Sequence, residues 1–328
     1  MNSKKKTRSS FRELGLLGFI VVIGILVEIR NPMFLTLNNL RDIGVNTSIL
    51  SILAVGMLMV LLTAGIDLSI GATIAFSGMC VALTLKVHPG VPIFVALLEG
   101  MAIGALVGAV LGTFVSRFSI LPIIASLGMM NIVRGVTYVV SGSKWVSAYQ
   151  LPDDFKDFAT GSFLGISHFL WIAIIVYVVF FYFLNYTKVG RWIYAVGSNP
   201  AAAKISGIPK RRVTALVYIL MGLLAGLAGV LWVSKYASAQ GNTASGYEMD
   251  VIAACVIGGV SITGGRGKIS GLILGCLLFG ILNNALPLIN VSPFWQNAIE
   301  GLVIMVAIIV NIVIERRIDR KALMAREI

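Results

Sequence analysis

The sequence predicts an all-α, polytopic membrane protein of about ten transmembrane helices, and three observations carry that class. The first is composition. Of 328 residues, 58% are hydrophobic and 12% charged, and the mean hydropathy is +0.94. A soluble domain is typically about a quarter charged, so this chain has too little polar surface to meet water on every side. The second is the length of its apolar runs. A helix crosses a bilayer with roughly 20 apolar residues, because every backbone polar group must be satisfied inside the segment. The third is charge placement: the 26 basic residues, in a chain of net charge +12, gather between particular runs and at both ends.

Taken in order, spans are expected near 14–29, 45–63, 70–86, 92–115, 120–140, 163–186, 213–234, 249–263, 269–286 and 296–314. Gly65, Asp67 and Gly71 interrupt the second and third. The first follows Lys4, Lys5, Lys6 and Arg8 and resembles a signal peptide, but it ends at Glu28-Ile29-Arg30 with no small-residue cleavage site, so an uncleaved helix is expected. Ten crossings put both termini on one side. That side collects Arg117, the cluster Lys188, Arg191, Lys204 and Lys210–Arg212, then Arg266 and Lys268, and both basic ends. The positive-inside bias makes that side cytoplasmic. The organisation is then a basic cytoplasmic N-terminus (1–12), a membrane domain (13–315) with an inner loop at about 187–212, and a cytoplasmic tail (316–328).

Two loops are long. The outer one, about 141–162, holds Lys144, Trp145, Asp153, Asp154, Lys156 and Asp157 and could meet something outside. In the inner one, Asn199-Pro200 before Ala201, Ala202 and Ala203 reads as a helix start, with Asn as N-cap and Pro at the first position, and Gly207 as the stop. Gly104, Gly108 and Gly112, Gly222 and Gly226, and Gly271 and Gly275 are spaced for close helix packing in lipid. Spans two to five and seven to ten form two sets of four. Each set has a Gly-rich break, at 63–71 and at 258–267, which suggests an inverted repeat of the kind transporters carry.

Several chemistries are excluded or unsupported. Gly267-Lys268 is not a Walker A motif, because Ile262 stands where its first Gly belongs and Ile269 where Ser or Thr belongs. No nucleophile-elbow, zinc-protease or kinase motif occurs, so no catalytic residue is expected. Cys80, Cys255 and Cys276 lie in apolar runs and read as buried hydrophobes, and His88 and His168 stand alone, so no metal site is expected. The basic charge has no aromatic-interleaved groove that would suit nucleic acid; membrane topology accounts for it.

Asp67 is the most informative acid. A carboxylate in an apolar stretch is costly and points to function. The preferred alternative is that Asp67 or Ser69 accepts backbone N–H bonds at the start of the next helix. Both hold together if that helix start faces a cavity. Glu99 and Arg134 fall at similar depths, roughly 9–12 Å below one face at 1.5 Å per residue, and are expected to pair; separate snorkelling is the alternative.

Five stretches carry a resemblance: N-P-M-F-L-T-L-N-N-L (31–40), A-V-G-M-L-M-V-L-L-T-A-G-I-D-L-S-I-G (54–71), K-V-G-R-W-I-Y-A-V-G-S-N-P-A-A-A-K-I-S-G-I (188–208), G-Y-E-M-D-V-I-A-A-C-V-I-G-G-V-S-I-T-G-G-R-G-K-I-S-G (246–271) and F-G-I-L-N-N-A-L (279–286). Together they resemble the ribose-type permeases of bacterial ABC sugar importers, from about Asn31 to Asn311. The segment 142–167 is also similar to autoinducer-2 and rhamnose-type relatives. The resemblance implies a homodimer in the bacterial inner membrane, a cytoplasmic ATP-binding subunit that holds ATP and magnesium, and an external sugar-binding protein; the chain itself would need no cofactor. It implies that 188–208 is the coupling element, with Gly190, Arg191, Gly197, Ser198, Asn199, Ala201, Ala202, Ala203, Ser206 and Gly207 as its candidate residues. Sugar hydroxyls call for uncharged hydrogen-bonding groups and aromatic faces. The polar candidates for a substrate path are Asn46, Thr47, Asp67, Ser69, Asn131, Gln240, Asn283 and Asn284, each of which could equally bridge neighbouring helices. Ribose is the first expectation for the cargo. A proton-coupled secondary transporter is the rival, and Asp67 is the one acid that would serve it; a membrane enzyme is disfavoured by the missing motifs.

Overall fold

The computed structural model describes residues 2–296, 298–303, 305, 306 and 309, with side chains from Glu13 onward. The expected tail, 316–328, lies outside the described residues, as do the side chains of the expected basic N-terminus. Twelve α-helices are bounded: α1 Asn2–Arg30, α2 Leu37–Leu62, α3 Ile70–Val87, α4 Ile93–Ser116, α5 Pro122–Ser141, α6 Asp153–Thr160, α7 His168–Tyr186, α8 Lys188–Ser198, α9 Pro200–Ile205, α10 Lys210–Tyr236, α11 Tyr247–Ile257 and α12 Ile269–Leu288. Beyond them the backbone is helical again at 293–296 and 298–303, where the tenth span was expected to begin. Among the described residues, α2, α3, α4, α5, α7, α10 and α12 are long and apolar enough to cross a membrane. This is an all-α membrane protein.

Three expected segments differ. The expected span 163–186 opens instead with a β-hairpin, β1 (Ser162–Phe163) against β2 (Ile166–Ser167), before α7 starts at His168. Its two turn residues, Leu164 and Gly165, both have positive φ, the pairing a tight hairpin turn needs. The expected span 249–263 is α11, which stops at Ile257. Eleven residues rise about 16 Å, roughly half of a hydrocarbon core, so α11 is a half-helix. The inner loop holds a second helix, α8, ahead of the expected one.

The layering follows from apolarity. In α2, 89% of the most apolar stretch is buried and in α10 72%, against 22–28% in α4, α5 and α7. A helix that is apolar all round and buried all round belongs at the centre. α2 and α10 form that centre, and the other three turn apolar faces outward. The glycine spacing explains how α4 reaches α10. A Cβ on Gly104 would strike the backbone of Gly222 and Gly226, and one on Gly108 the carbonyl of Tyr218. Gly271 and Gly275 do the same for α12 against Ala254 and Gly258 of α11 and its end. In lipid no hydrophobic force joins helices, so this backbone proximity supplies the contact.

The interruptions position everything else. α2 ends at Leu62, an irregular stretch follows, and α3 starts at Ile70. α10 ends at Tyr236, the irregular stretch 237–246 follows, and α11 starts at Tyr247. The two starts meet: a Cβ on Gly71 would lie 2.8 Å from Glu248 Oε2 and would strike the Ala244 carbonyl. From there the helices part. The far end of α3 joins Val146, Leu151 and Phe155 in one buried cluster, whereas the chain after α11 returns to Leu62, where the Gly265 N–H donates to the Leu62 carbonyl (2.9 Å). The irregular stretch that meets the 63–69 break is 237–246, ahead of α11, whereas the Gly-rich 258–267 stretch follows α11.

Candidate functional site

Three regions carry the candidate residues. The first is the end of the bundle where α8 and α9 lie. Thr187 accepts a hydrogen bond from the Gly190 N–H (3.0 Å) and starts α8; Asn199 accepts from the Ala202 N–H (3.0 Å) and starts α9. Pro200 is the first residue of α9, and Gly207 has φ +73° just beyond its end, as the sequence pattern expects. Arg191, Ser198, Asn199, Ala201, Ala202, Ser206 and Gly207 are exposed, and Ile205 is 89% exposed. Ala203 is 3% exposed, so it packs inward and offers nothing to a partner. Gly190 and Gly197 are joints rather than surface. A Cβ on Gly190 would strike the Phe183 and Leu184 carbonyls, and one on Gly197 the Leu62 carbonyl. Ser198 Oγ donates to the Gly265 carbonyl (3.4 Å), and Tyr194 Oη donates to the Gly267 carbonyl (3.0 Å). The end of α8 is thus wedged between the end of α2 and the turn that follows α11.

The second region is the junction of broken helices. Asp67 is 2% exposed, and its Oδ1 accepts from both the N–H (2.8 Å) and the Oγ (2.6 Å) of Ser69. That is an Asx-type turn closing the chain ahead of α3. Ser69 occupies the N-cap position, but its side chain makes no capping bond, so neither residue caps the first turn of α3 as expected. Arg134 reaches the same neighbourhood and donates through Nη1 to the carbonyls of Gly241 (2.9 Å) and Thr243 (2.7 Å), fixing the loop ahead of α11. Glu99 accepts from Thr84 Oγ1 (2.7 Å). The expected Glu99–Arg134 pair is absent: each has a nearer partner on a different element. Glu248, 9% exposed and at the meeting of α3 and α11, was not anticipated.

The third region is a cavity of about 200 Å³ at the opposite end of the bundle, between α2, α10, α11 and α12. Asn46 and Asn283 line it, together with Trp232, Lys235, Tyr236 and Tyr247, which no sequence motif marks as site residues. Thr47 sits behind Gly280, where a Cβ would strike its hydroxyl. The other path candidates are elsewhere. Asn284 exchanges amide hydrogen bonds with Asn39 (3.0 Å each), which is helix-to-helix bridging. Asn131 is exposed and donates to the Leu127 carbonyl of its own helix (3.0 Å). Gln240 belongs to the loop held by Arg134, and its N–H donates to Thr243 Oγ1 (3.3 Å). The loop 142–167 closes over this end: Val146 bridges Ala239, Ser234 Oγ donates to the Phe155 carbonyl (2.7 Å), and Arg41 donates to the Thr160 carbonyl. In that loop the Lys156 ammonium, 2.6 Å from Asp153, holds the Asp153 carboxyl below its ordinary range.

The bundle thus has a small-residue helix exposed at one end, broken helices at its middle and a polar, aromatic-lined cavity at the other. The family described as branched-chain amino acid transport system / permease component matches residues 39–308. The ribose import permease of Escherichia coli K12 is 41% identical over 298 residues, covering 90% of this chain and 92% of that one. The ribose import permease of Bacillus subtilis 168 is 39% identical over 299 residues (90% and 91%), and an L-arabinose ABC transporter permease of Azospirillum brasilense is 35% identical over 295 residues (90% and 86%). No solved structure matches the chain. With the match spanning both broken helices and the α8–α9 corner, the chain belongs to this permease family, among the ribose-type permeases of ABC sugar importers.

Proposed function

We propose that the chain is the membrane-spanning subunit of an ATP-driven importer that moves a monosaccharide into the cytoplasm. It works as a homodimer with two copies of a cytoplasmic ATP-binding subunit and an external sugar-binding protein. It crosses the bacterial inner membrane ten times as an inverted repeat, with both termini and α9 in the cytoplasm. ATP and magnesium belong to the partner subunit. The chain has no phosphate-binding loop of its own, since Ile262 and Ile269 stand at two defining positions of the one candidate.

One observation carries the reading. α9 is exposed, is stiffened by cap and stop, and follows α8, whose end is wedged against Leu62 and Gly265, beside the break that follows α2 and the turn that follows α11. A push on α9 from a partner would reach the irregular segments with no flexible linker between. The opposed directions of α3 and α11 support the inverted repeat, in which half-helices turn about a shared centre. The junctions at Asp67 and at 237–246 are then the places that change.

D-ribose is the proposed cargo. L-arabinose is the second candidate, because an arabinose permease matches over the same share of this chain as the ribose permeases do. The test is uptake of labelled D-ribose by proteoliposomes holding this chain, its ATP-binding partner and the sugar-binding protein. Saturable uptake that needs ATP inside and the binding protein outside is expected. Uptake driven by a proton gradient without ATP would overturn the reading in favour of the secondary transporter.

A further inference from the structure

The cavity at the end away from α9 has a composition that path lining alone does not require. Three aromatic rings form one wall. Trp232 and Tyr236 lie tilted with centroids 5.1 Å apart, and Tyr247 stands edge-on to Trp232 at 5.0 Å. The Lys235 ammonium lies 4.7 Å from the centre of the Tyr236 ring and donates to Asn46 Oδ1. On the other side Asn283 Oδ1 is buried with no hydrogen-bond partner, and Thr47 Oγ1 is in the same condition behind Gly280. Buried polar atoms are almost always paired, and of these two orphans Asn283 belongs to a residue that lines the cavity, so its amide marks a place where a bound molecule completes the bonding.

We propose that this cavity holds one neutral, pentose-sized sugar inside the permease itself, its apolar face against Trp232 and its hydroxyls on Asn46 and Asn283. The proposal rests on the importer reading above and gives it a selective step beyond the external binding protein. Size, charge and chemistry agree on the ligand. About 200 Å³ is below the roughly 300–1,000 Å³ of drug-sized sites and suits a small molecule. The one cation is already shared between Tyr236 and Asn46, so the site does not demand an anion. An indole gives a C–H-rich ring face an apolar platform, while Asn283 offers an acceptor to a hydroxyl.

The test uses the permease with its ATP-binding partner in nanodiscs, without the sugar-binding protein, titrated with D-ribose and L-arabinose. Saturable quenching of tryptophan fluorescence is expected for at least one of them, with a matching calorimetric signal. Trp232→Phe should lose the quench and keep the calorimetric signal. Asn283→Ala should weaken binding by about tenfold, roughly the loss of one hydrogen bond to a neutral group, while an unchanged thermal unfolding midpoint of the purified complex shows that the variant is folded. Wild-type complex that takes up sugar with ATP yet binds neither sugar saturably overturns the site and leaves the importer standing. Equal affinity in Asn283→Ala also overturns the site. Saturable binding in a complex whose uptake ignores ATP would support the site and sink the importer instead.

Discussion

Asp67 separates charge from shape as the reason for an acid inside an apolar bundle. Both of its hydrogen bonds use Oδ1 as an acceptor, toward the N–H and hydroxyl of Ser69. An amide oxygen accepts equally well and forms the same Asx turn. Asp67→Asn should therefore keep most ATP-driven uptake. Asp67→Ala leaves two buried donors unpaired, at a cost of about 1–3 kcal/mol for each, and should lower both uptake and the thermal unfolding midpoint of the purified complex. Loss of uptake in Asp67→Asn with an unchanged midpoint would show that the charge itself acts. The sequence made Asp67 conspicuous, because acids are rare in apolar runs. It could not say which donors the carboxylate meets, since Ser69 at two residues' distance suits a turn as well as a cap. Glu99 and Arg134 stay apart for a related reason. Equal depth along two helices says nothing about which faces turn toward each other, and Thr84 and the carbonyls at 241 and 243 proved nearer. The aromatic members of the cavity were not legible in the sequence because Trp232, Tyr236 and Tyr247 lie on two elements that only the bend at 237–246 brings together.

At the scale of elements, short-range signals were legible and long-range ones were not. α9 was readable because cap, proline and terminal glycine act within one turn of the chain. α8 was not, since a strongly amphipathic segment beside a polar loop declares itself a helix only once something covers its apolar face; here Ile193 and Val196 are covered by the bundle. α11 was drawn too long because the apolar run continues through Gly258 and Gly259 while the backbone turns, with φ +92° at Gly259. The exposure of α9 sharpens its test. Ala203 is buried, so a bulky residue there would disturb folding whatever α9 does. Ala201 and Ala202 are exposed. Ala201→Arg with Ala202→Arg should lower uptake by about tenfold or more, equivalent to ~1.4 kcal/mol of lost docking, and reduce co-purification of the ATP-binding partner while the permease stays folded in the membrane. Replacing the exposed apolar Ile205 by Asp should act in the same direction. Normal uptake in the double-arginine variant would remove α9 from the coupling role.

For the whole molecule, the two ends differ in a way that assigns them to opposite sides of a membrane. Arg117, Lys188, Arg191, Lys204, Lys210, Arg211, Arg212, Arg266 and Lys268 all fall at the end that carries α8 and α9. The opposite end carries the loop 142–167, where Asp153, Asp154 and Asp157 outnumber Lys144 and Lys156. Lys and Arg are retained on the cytoplasmic side during insertion, and Asp and Glu contribute little to that choice. The asymmetry agrees with the proposed orientation, in which α9 lies inside and the 142–167 loop outside, where an ATP-binding partner and a sugar-binding protein would respectively find them. Single cysteines test this directly. Cys255 and Cys276 are buried and Cys80 half-buried, so a background with Cys80 replaced by Ala should be nearly silent to a membrane-impermeant maleimide. In that background Ser206→Cys should label only in inside-out vesicles, and Asp154→Cys only in right-side-out cells. Labelling of both positions from the same side would break the link between the basic end and the cytoplasm. It would also leave the loop 142–167 on the ATPase side, where no external binding protein could reach it.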